Sequence, residues 1–168
     1  MPVTPFHFGP GAALHAVAPK HISFIAFCTA NVLIDIESLC NLVQQRYPVH
    51  AFFHTYIGAT LVIGAVIGLF AGCKWFAERY WLPDMFGWRR LRMRQVATGA
   101  ALGAWSHVVF DSIMHHDIQP FWPFSIANPL LDLVPLWALH LGCAVAGLIG
   151  LLVAVGRWYI GGDKSLLD

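Results

Sequence analysis

The sequence predicts an all-α integral membrane protein of one domain, a helical bundle of about four transmembrane helices preceded by a short half-spanning helix. Hydrophobic residues make up 58% of the 168-residue chain, and charged residues only 11%. The mean hydropathy of +0.63 is well above that of ordinary soluble domains. Several apolar runs also approach or exceed about 20 residues, the length of helix that crosses a bilayer.

The first part of the chain contains one short apolar run and one long one. Residues 9–18 are followed by Pro19 and Lys20. A helix of that length spans only about 15 Å, so we expect it to be re-entrant. Residues 21–43 form the first predicted transmembrane helix, although Asp35 lies within them.

The middle of the chain predicts a second transmembrane helix and a cytoplasmic loop. Residues 53–73 are apolar, and their glycines recur at a spacing that allows close helix packing. These glycines are Gly64, Gly68 and Gly72. Residues 74–94 mix arginines with tryptophan, tyrosine and phenylalanine. Such a mixture is typical of a segment at the membrane surface.

The last two predicted transmembrane helices lie on either side of an outer loop. Residues 95–114 form the third helix, with Gly99 and Gly103 available for tight packing. Residues 115–134 form the loop, which contains an aromatic run. Residues 135–157 form the fourth helix.

The distribution of Lys and Arg predicts the orientation of the bundle. With residues 74–94 in the cytoplasm, four crossings place nine of the ten cations there and leave only Arg46 outside. We therefore predict a multi-pass protein of the cell inner (plasma) membrane with both termini on the cytoplasmic side. The formal charge of +1 gives no support for nucleic acid binding. The predicted partners are membrane lipids and, through the glycine-rich helix faces, a second copy of the chain.

The third predicted helix carries the clearest candidate site. His107, Asp111 and His115 follow one another at four-residue steps, which places them on one face of a helix. Ionisable groups inside a membrane are costly unless they have a partner, and they often mark functional sites. We interpret the pattern as a metal or catalytic site. The His107 and Asp111 pair is also consistent with a buried hydrogen bond that ties two helices together.

Two acidic residues in the first transmembrane helix are further candidates. Asp35 and Glu37 are two residues apart and therefore point to opposite sides of a helix. We assign Asp35, which shares a face with Asn31, as a metal ligand. Glu37 is assigned as a catalytic general base, with a simple capping or pairing role at the outer interface as the alternative.

Depth in the membrane adds two histidines to the predicted site. His7 and Asp35 each lie roughly 20 Å from the turn at Lys20, and His107 is at a similar height. His54 lies near the outer end of the second helix. The predicted metal ligands, all in the outer half of the bilayer, are His7, Asp35, His54, His107, Asp111 and His115.

Four segments of the chain resemble one known family. They are TPFHFGPG, ANVLIDIE, FHTYIGATL and SHVVFDSIMHHDIQPFWPFS. Over roughly residues 1–130 they resemble the YdjM-like, LexA-associated family of membrane-bound metal-dependent hydrolases. The resemblance implies a metal site made by His7, Asp35, His54, His107 and Asp111. Many members read HRGxTHS where this chain reads HTYIGAT, so Ala59 stands in place of a second histidine.

Together, the residues and the resemblance predict a metal-dependent hydrolase of a lipid or phosphoester substrate. Imidazole and carboxylate ligands favour Zn²⁺, although Mn²⁺ and Fe²⁺ accept the same ligands. One or two such ions would lower the pKa of a bound water and so supply a nucleophile near neutral pH. Two alternatives use the same residues differently. A transporter would move protons or metal ions through them, and a structural membrane protein would use them for buried hydrogen bonds.

Overall fold

The computed structural model describes residues 4–161, and all the regular structure in that range is helical. The α-helices in this part of the chain are α1 (Thr4–Val17), α2 (Phe24–Val43), α3 (Tyr56–Arg79), α4 (Met93–Met114) and α5 (Leu136–Gly161). Two short 3-10 helices, Phe52–His54 and Met85–Arg90, precede and follow α3. The predicted all-α class is confirmed for the described residues.

Three helices, α2, α3 and α5, are long and apolar enough to cross a membrane. The prediction of about four transmembrane helices and a half-spanning one therefore exceeds what length and composition support. Of the four predicted transmembrane helices, α4 is the one that does not qualify as a span. Its buried face includes polar and small residues. These include Gln95, Gly99, Gly103, His107, Asp111 and Ser112. α4 packs against both α2 and α3, so this face meets protein rather than lipid.

The ends of the helices differ from the predicted ones in several places. The short helix predicted at residues 9–18 begins at Thr4 instead, and its 14 residues span about 21 Å. α2 begins three residues later than predicted, because the Ser23 side chain caps it. α3 continues to Arg79, so the first part of the predicted 74–94 loop is helical.

The apolar core lies where α2, α3 and α4 meet. Its buried side chains are mostly alanine, valine and isoleucine, which allow the three helices to approach closely. They include Ala26, Ala30 and Ile34 of α2, Val62 and Val66 of α3, and Ala100, Ala104 and Val108 of α4. This core lies beneath the His and Asp residues and fixes the separation of the helices that carry them.

α2 and α4 run parallel in close contact, as the spacing of Gly99 and Gly103 predicts. A Cβ at Gly99 would lie 2.2 Å from the carbonyl oxygen of Ser23, and one at Gly103 would lie 2.5 Å from that of Phe27. Glycine is required for this approach because any larger residue would clash with the backbone of α2. The contact brings the C-terminal halves of the two helices together.

The glycines of α3 do not make a comparable contact. A Cβ at any of Gly64, Gly68 and Gly72 would meet nothing within 4 Å. Within the described part of the chain these glycines therefore do not mediate helix packing. The predicted association with a second copy stays a prediction.

The helix directions give the bundle two different ends. α1 and α5 run parallel, since the backbone of Gly9 lies against Cys143 and that of Gly150 lies against Ala12. The first residues of α1 and the last residues of α5 thus lie at opposite ends of the bundle. The predicted cytoplasmic side of both termini stays a prediction. Every described Lys and Arg except Arg46 lies at or near the end where α3 finishes and α4 begins. We call this the basic end and the opposite one the site end.

Candidate metal centre

Four side chains from α2, α4 and the 3-10 helix before α3 converge at the site end. Asp35, His54, His107 and Asp111 each offer one atom, and these atoms all lie within 4.8 Å of one another. His54, His107 and Asp111 are fully buried, and the Asp35 side chain is 12% exposed. We call these four residues the inner set.

The spacing of the four atoms allows them to surround a single metal ion. Nε2 of His107 lies 3.2 Å from Oδ1 of Asp35 and 3.3 Å from Oδ2 of Asp111. Nε2 of His54 lies 3.4 Å from Oδ2 of Asp111 and 3.7 Å from Oδ1 of Asp35. Ligands placed about 2.0 to 2.2 Å from a tetrahedral zinc ion are themselves about 3.3 to 3.6 Å apart. The inner set could therefore hold a divalent metal ion.

Hydrogen bonding does not account for the buried carboxylate of Asp111. Nitrogens of His7, His54 and His107 lie 3.2 to 3.4 Å from its two oxygens. Nevertheless, neither oxygen has a hydrogen-bond partner among the described residues, and neither does Nε2 of His107. The atoms are close without forming hydrogen bonds. A cation between them would stabilise a buried charge that is otherwise costly.

His107 is oriented by α2 through Asn31. Nδ2 of Asn31 donates to the carbonyl oxygen of Phe27 at 2.8 Å, and this bond turns Oδ1 of Asn31 toward Nδ1 of His107, 2.9 Å away. Nδ1 of His107 therefore carries the proton, and Nε2 keeps its lone pair on the side of the two carboxylates. Metal-bound histidines are commonly oriented through their second nitrogen in this way.

His7 reaches the site without joining the inner set. Its Nε2 lies 3.2 Å from Oδ1 of Asp111, which is not the oxygen that faces His54 and His107. Its Nδ1 lies 2.9 Å from Nδ1 of His107. In this structure the predicted ligand His7 supports Asp111 and His107 from their far side.

Glu37 lies beside the turn that carries His54. Its carboxylate oxygens accept hydrogen bonds from the backbone N–H groups of Phe52 and Phe53, at 3.1 and 2.6 Å. Ser38, the next residue, places its hydroxyl 3.5 Å from Nε2 of His54. These contacts favour the capping alternative for Glu37 over the general base, because both carboxylate oxygens already hold the backbone.

His115 does not continue the helical face of His107 and Asp111. α4 ends at Met114, and His115 has an extended backbone with φ −122° and ψ 128°. The prediction that His115 shares the helical face of His107 and Asp111 is therefore wrong, because the helix ends before His115. The ring of His115 lies 4.0 Å from that of His50.

A second group of possible ligands shares Asp111 with the first. One atom each of His50, Asp111 and His115 lie within 4.8 Å of one another. We call these three residues the outer set. Burial lowers the pKa of His115 to about 4, and His50 adds to this effect. Burial and the nearby His54 also lower the pKa of His50, against the opposing effect of Asp117. Both rings are therefore neutral at pH 7, the form of imidazole that binds metals.

His50 is the residue that sequence reasoning missed. It lies in the connection between α2 and α3, where an interfacial histidine is common, yet it is only 5% exposed. Asp117, which is distant in sequence, contacts both the ring and the backbone of His50. The sequence does contain an acidic residue, Asp117, directly after His115 and His116. No local pattern, however, indicates that Asp117 contacts His50.

The comparisons with known proteins leave the family of the chain undetermined. No protein-family model matches the chain, and neither a curated protein nor a solved structure does. The resemblance to the YdjM-like hydrolases stays a prediction from the motifs. The chemistry of the site therefore rests on its own geometry.

Proposed function

We propose that the protein is a membrane-embedded metal-dependent hydrolase whose divalent cation is held by the inner set. The observation that carries this proposal is the pair of carboxylates, Asp35 and Asp111, that face two imidazole nitrogens at 3.2 to 3.7 Å. Two carboxylates so close together in a buried place repel each other unless a positive charge lies between them. A divalent cation would neutralise both.

Zn²⁺ is the cation that we favour. The four ligand atoms are two nitrogens and two oxygens within 4.8 Å of one another. This donor set suits zinc, while Mn²⁺ and Fe²⁺ accept the same donors. Such a cation acts as a Lewis acid and activates water for hydrolysis near neutral pH. The chain's own residues position the ligands: Asn31 orients His107, Glu37 holds the turn of His54, and His7 contacts Asp111.

The surroundings of the site support a substrate at the membrane interface. A cavity of about 370 Å³ opens at the site end, which is within the usual size range of small-molecule sites. Its lining residues are Leu42, Tyr47, Val49, His50, Met114, His115, His116 and Asp117. Tyr47 and Phe124 are 81% and 87% exposed at this end, and aromatic side chains are enriched at the lipid interface. We propose that the substrate is a lipid ester or a phosphoester that enters from this interface.

The charges of the bundle support a location in the inner (plasma) membrane. α2, α3 and α5 supply apolar surfaces of spanning length. Lys and Arg are concentrated at the basic end, which would face the cytoplasm by the positive-inside rule. The inner set and the cavity would then lie on the outer side.

Metal content and hydrolysis, measured on the same detergent-purified protein, test this proposal. We expect the wild type to retain a divalent cation and to hydrolyse at least one member of a panel of phosphoesters and lipid esters. Asp111→Asn keeps the shape of the side chain but removes its charge, so it should lose both the metal and the activity. Asp132→Asn is the matched control, because Asp132 is exposed and its φ of 57° is tolerated by asparagine. A folded wild type that binds none of Zn²⁺, Mn²⁺ and Fe²⁺ would contradict the proposal.

A further inference from the structure

We infer that the centre is binuclear, with a second divalent cation held by His50 and His115 and with Asp111 bridging the two cations. This inference rests on the proposed function, in which the inner set would hold the first cation. Asp111 is the residue common to both sets. Its side chain is fully buried, and neither oxygen has a hydrogen-bond partner among the described residues.

The surroundings of His50 are those of a metal ligand. Nδ1 of His50 lies 2.8 Å from Oδ1 of Asp117, so its N–H group donates a hydrogen bond to the carboxylate. Oδ2 of Asp117 accepts from the backbone N–H groups of Val49 and His50, at 2.8 and 3.1 Å. Nε2 of His50 then has a lone pair, is buried, and has no hydrogen-bond partner in the described part of the chain. A carboxylate that holds a histidine by its second nitrogen is a recurrent feature of zinc sites.

His115 meets His50 from the end of α4. Its backbone N–H donates to the carbonyl oxygen of Asp111 at 2.9 Å. Nδ2 of Asn128 donates to the carbonyl oxygens of Ser112 and His115, at 2.8 and 3.4 Å. These bonds fix the backbone at the position where the ring lies beside His50. Like His50, His115 has a buried Nε2 that lacks a hydrogen-bond partner among residues 4–161.

The two sets differ in their access to the cavity. His50 and His115 line the cavity of about 370 Å³, whereas none of the four inner-set residues lines it. A cation on the outer set would therefore be the one that a substrate meets first. Paired cations stabilise both the attacking and the leaving oxygen of an in-line displacement at phosphorus. The binuclear arrangement thus favours phosphoesters over lipid esters within the proposed substrate class.

Metal stoichiometry with Mn²⁺ as the probe tests this inference. The full-length protein is purified in detergent, stripped of metal and reloaded with Mn²⁺. Bound equivalents are then counted by mass spectrometry, and the electron paramagnetic resonance spectrum is recorded. His115→Phe is the main variant, because phenylalanine preserves a ring beside His50 but cannot bind metal. The exposed neighbour His116 supplies the matched control, His116→Phe. His50→Gln provides a second route if His115→Phe fails to fold.

The binuclear site predicts about two equivalents in the wild type and in His116→Phe, with spin coupling through the shared carboxylate. His115→Phe and His50→Gln should each retain about one equivalent, without coupling. One uncoupled equivalent in the wild type, unchanged in His115→Phe, would overturn the second site and leave the inner site intact. No bound Mn²⁺, Zn²⁺ or Fe²⁺ in folded wild type would instead overturn the proposed function and this inference together.

Discussion

The inner and outer sets share one carboxylate but differ in almost every other respect. The inner set has two carboxylates and two imidazoles, and three of its four residues are fully buried. The outer set has one carboxylate and two imidazoles, and both histidines lie outside the α-helices and border a cavity. Because negative ligands and rigid positions favour divalent cations, we expect the inner cation to bind more tightly than the outer one.

This difference follows from the elements that carry each set. The inner set is fixed largely by the contact between α2 and α4, with Glu37 holding the turn that carries His54. The outer set is fixed by Asp117 and Asn128, which hold two loop segments. A rigid, buried cation would suit water activation. A more accessible one would suit the binding and release of substrate.

The largest expected effect is that of Asp35→Asn, which removes an anionic ligand from the inner set alone. Outer-shell changes at metal sites typically cost about 10- to 100-fold in affinity, and loss of a direct ligand should exceed that range. We expect the inner cation to be lost and the outer one to remain. Competition with a fluorescent chelator measures both affinities. An equal loss of metal affinity at the two sites would contradict the distinction between the inner and outer sets.

Asn31→Ala should weaken the inner site without affecting the outer one. Nδ1 of His107 would lose its acceptor, so the ring would no longer be held in the ligating orientation. We expect inner-site affinity to fall by about 10- to 100-fold. Thr29→Ala on the same helix is the control, because the Thr29 hydroxyl donates to the backbone of its own helix at Ile25. An unchanged inner affinity would mean that Asn31 does not orient His107.

Asp117→Asn should have the opposite selectivity. The uncharged amide would polarise His50 less and would hold the 49–50 backbone less firmly. Outer-site affinity should fall by about 10- to 100-fold, and inner-site affinity should not change. The same chelator titration gives both numbers, with Asp132→Asn as the control. A loss of metal affinity at the inner site instead would show that the two sets do not bind metal independently.

Gly103→Ala should give the smallest effect and act through the contact between helices. The new Cβ would lie 2.5 Å from the carbonyl oxygen of Phe27, so α2 and α4 must separate slightly. Overpacking of this kind costs about 1 to 3 kcal/mol of stability. Gly68→Ala is the control, because nothing lies within 4 Å of its added Cβ. Thermal unfolding in detergent measures the difference, and equal transition temperatures would contradict the packing argument.

The four residues of the inner set could be selected from the sequence because they violate the apolar pattern around them. Asp35, His107 and Asp111 interrupt long hydrophobic runs, and their calculated depths agree. His54 could be selected for the same reason, because it lies at the start of a hydrophobic run. The sequence could not show whether His7 is a metal ligand or a residue that supports the ligands. Depth in the membrane does not specify which oxygen of Asp111 the His7 side chain contacts.

The structural features that could not be predicted from the sequence depend on contacts between distant segments of the chain. His50 contacts Asp117, sixty-seven residues later in the sequence. α4 was predicted as a membrane span since its length fits, but its polar face is covered by α2 and α3. The four-residue spacing placed His115 on the helical face of Asp111, whereas α4 ends at Met114 and His115 has an extended backbone. Helix ends and loop contacts of this kind are set by tertiary structure rather than by local sequence.

X-ray absorption spectroscopy of the zinc-loaded, full-length protein tests the central claim most directly. The inner set predicts only nitrogen and oxygen ligands at about 2.0 to 2.2 Å, with the outer-shell scattering of imidazole. Sulfur at about 2.3 Å would instead place zinc on cysteine. None of the four cysteines belongs to either set. A spectrum with sulfur ligands, or one without imidazole, would contradict the assignment of Asp35, His54, His107 and Asp111.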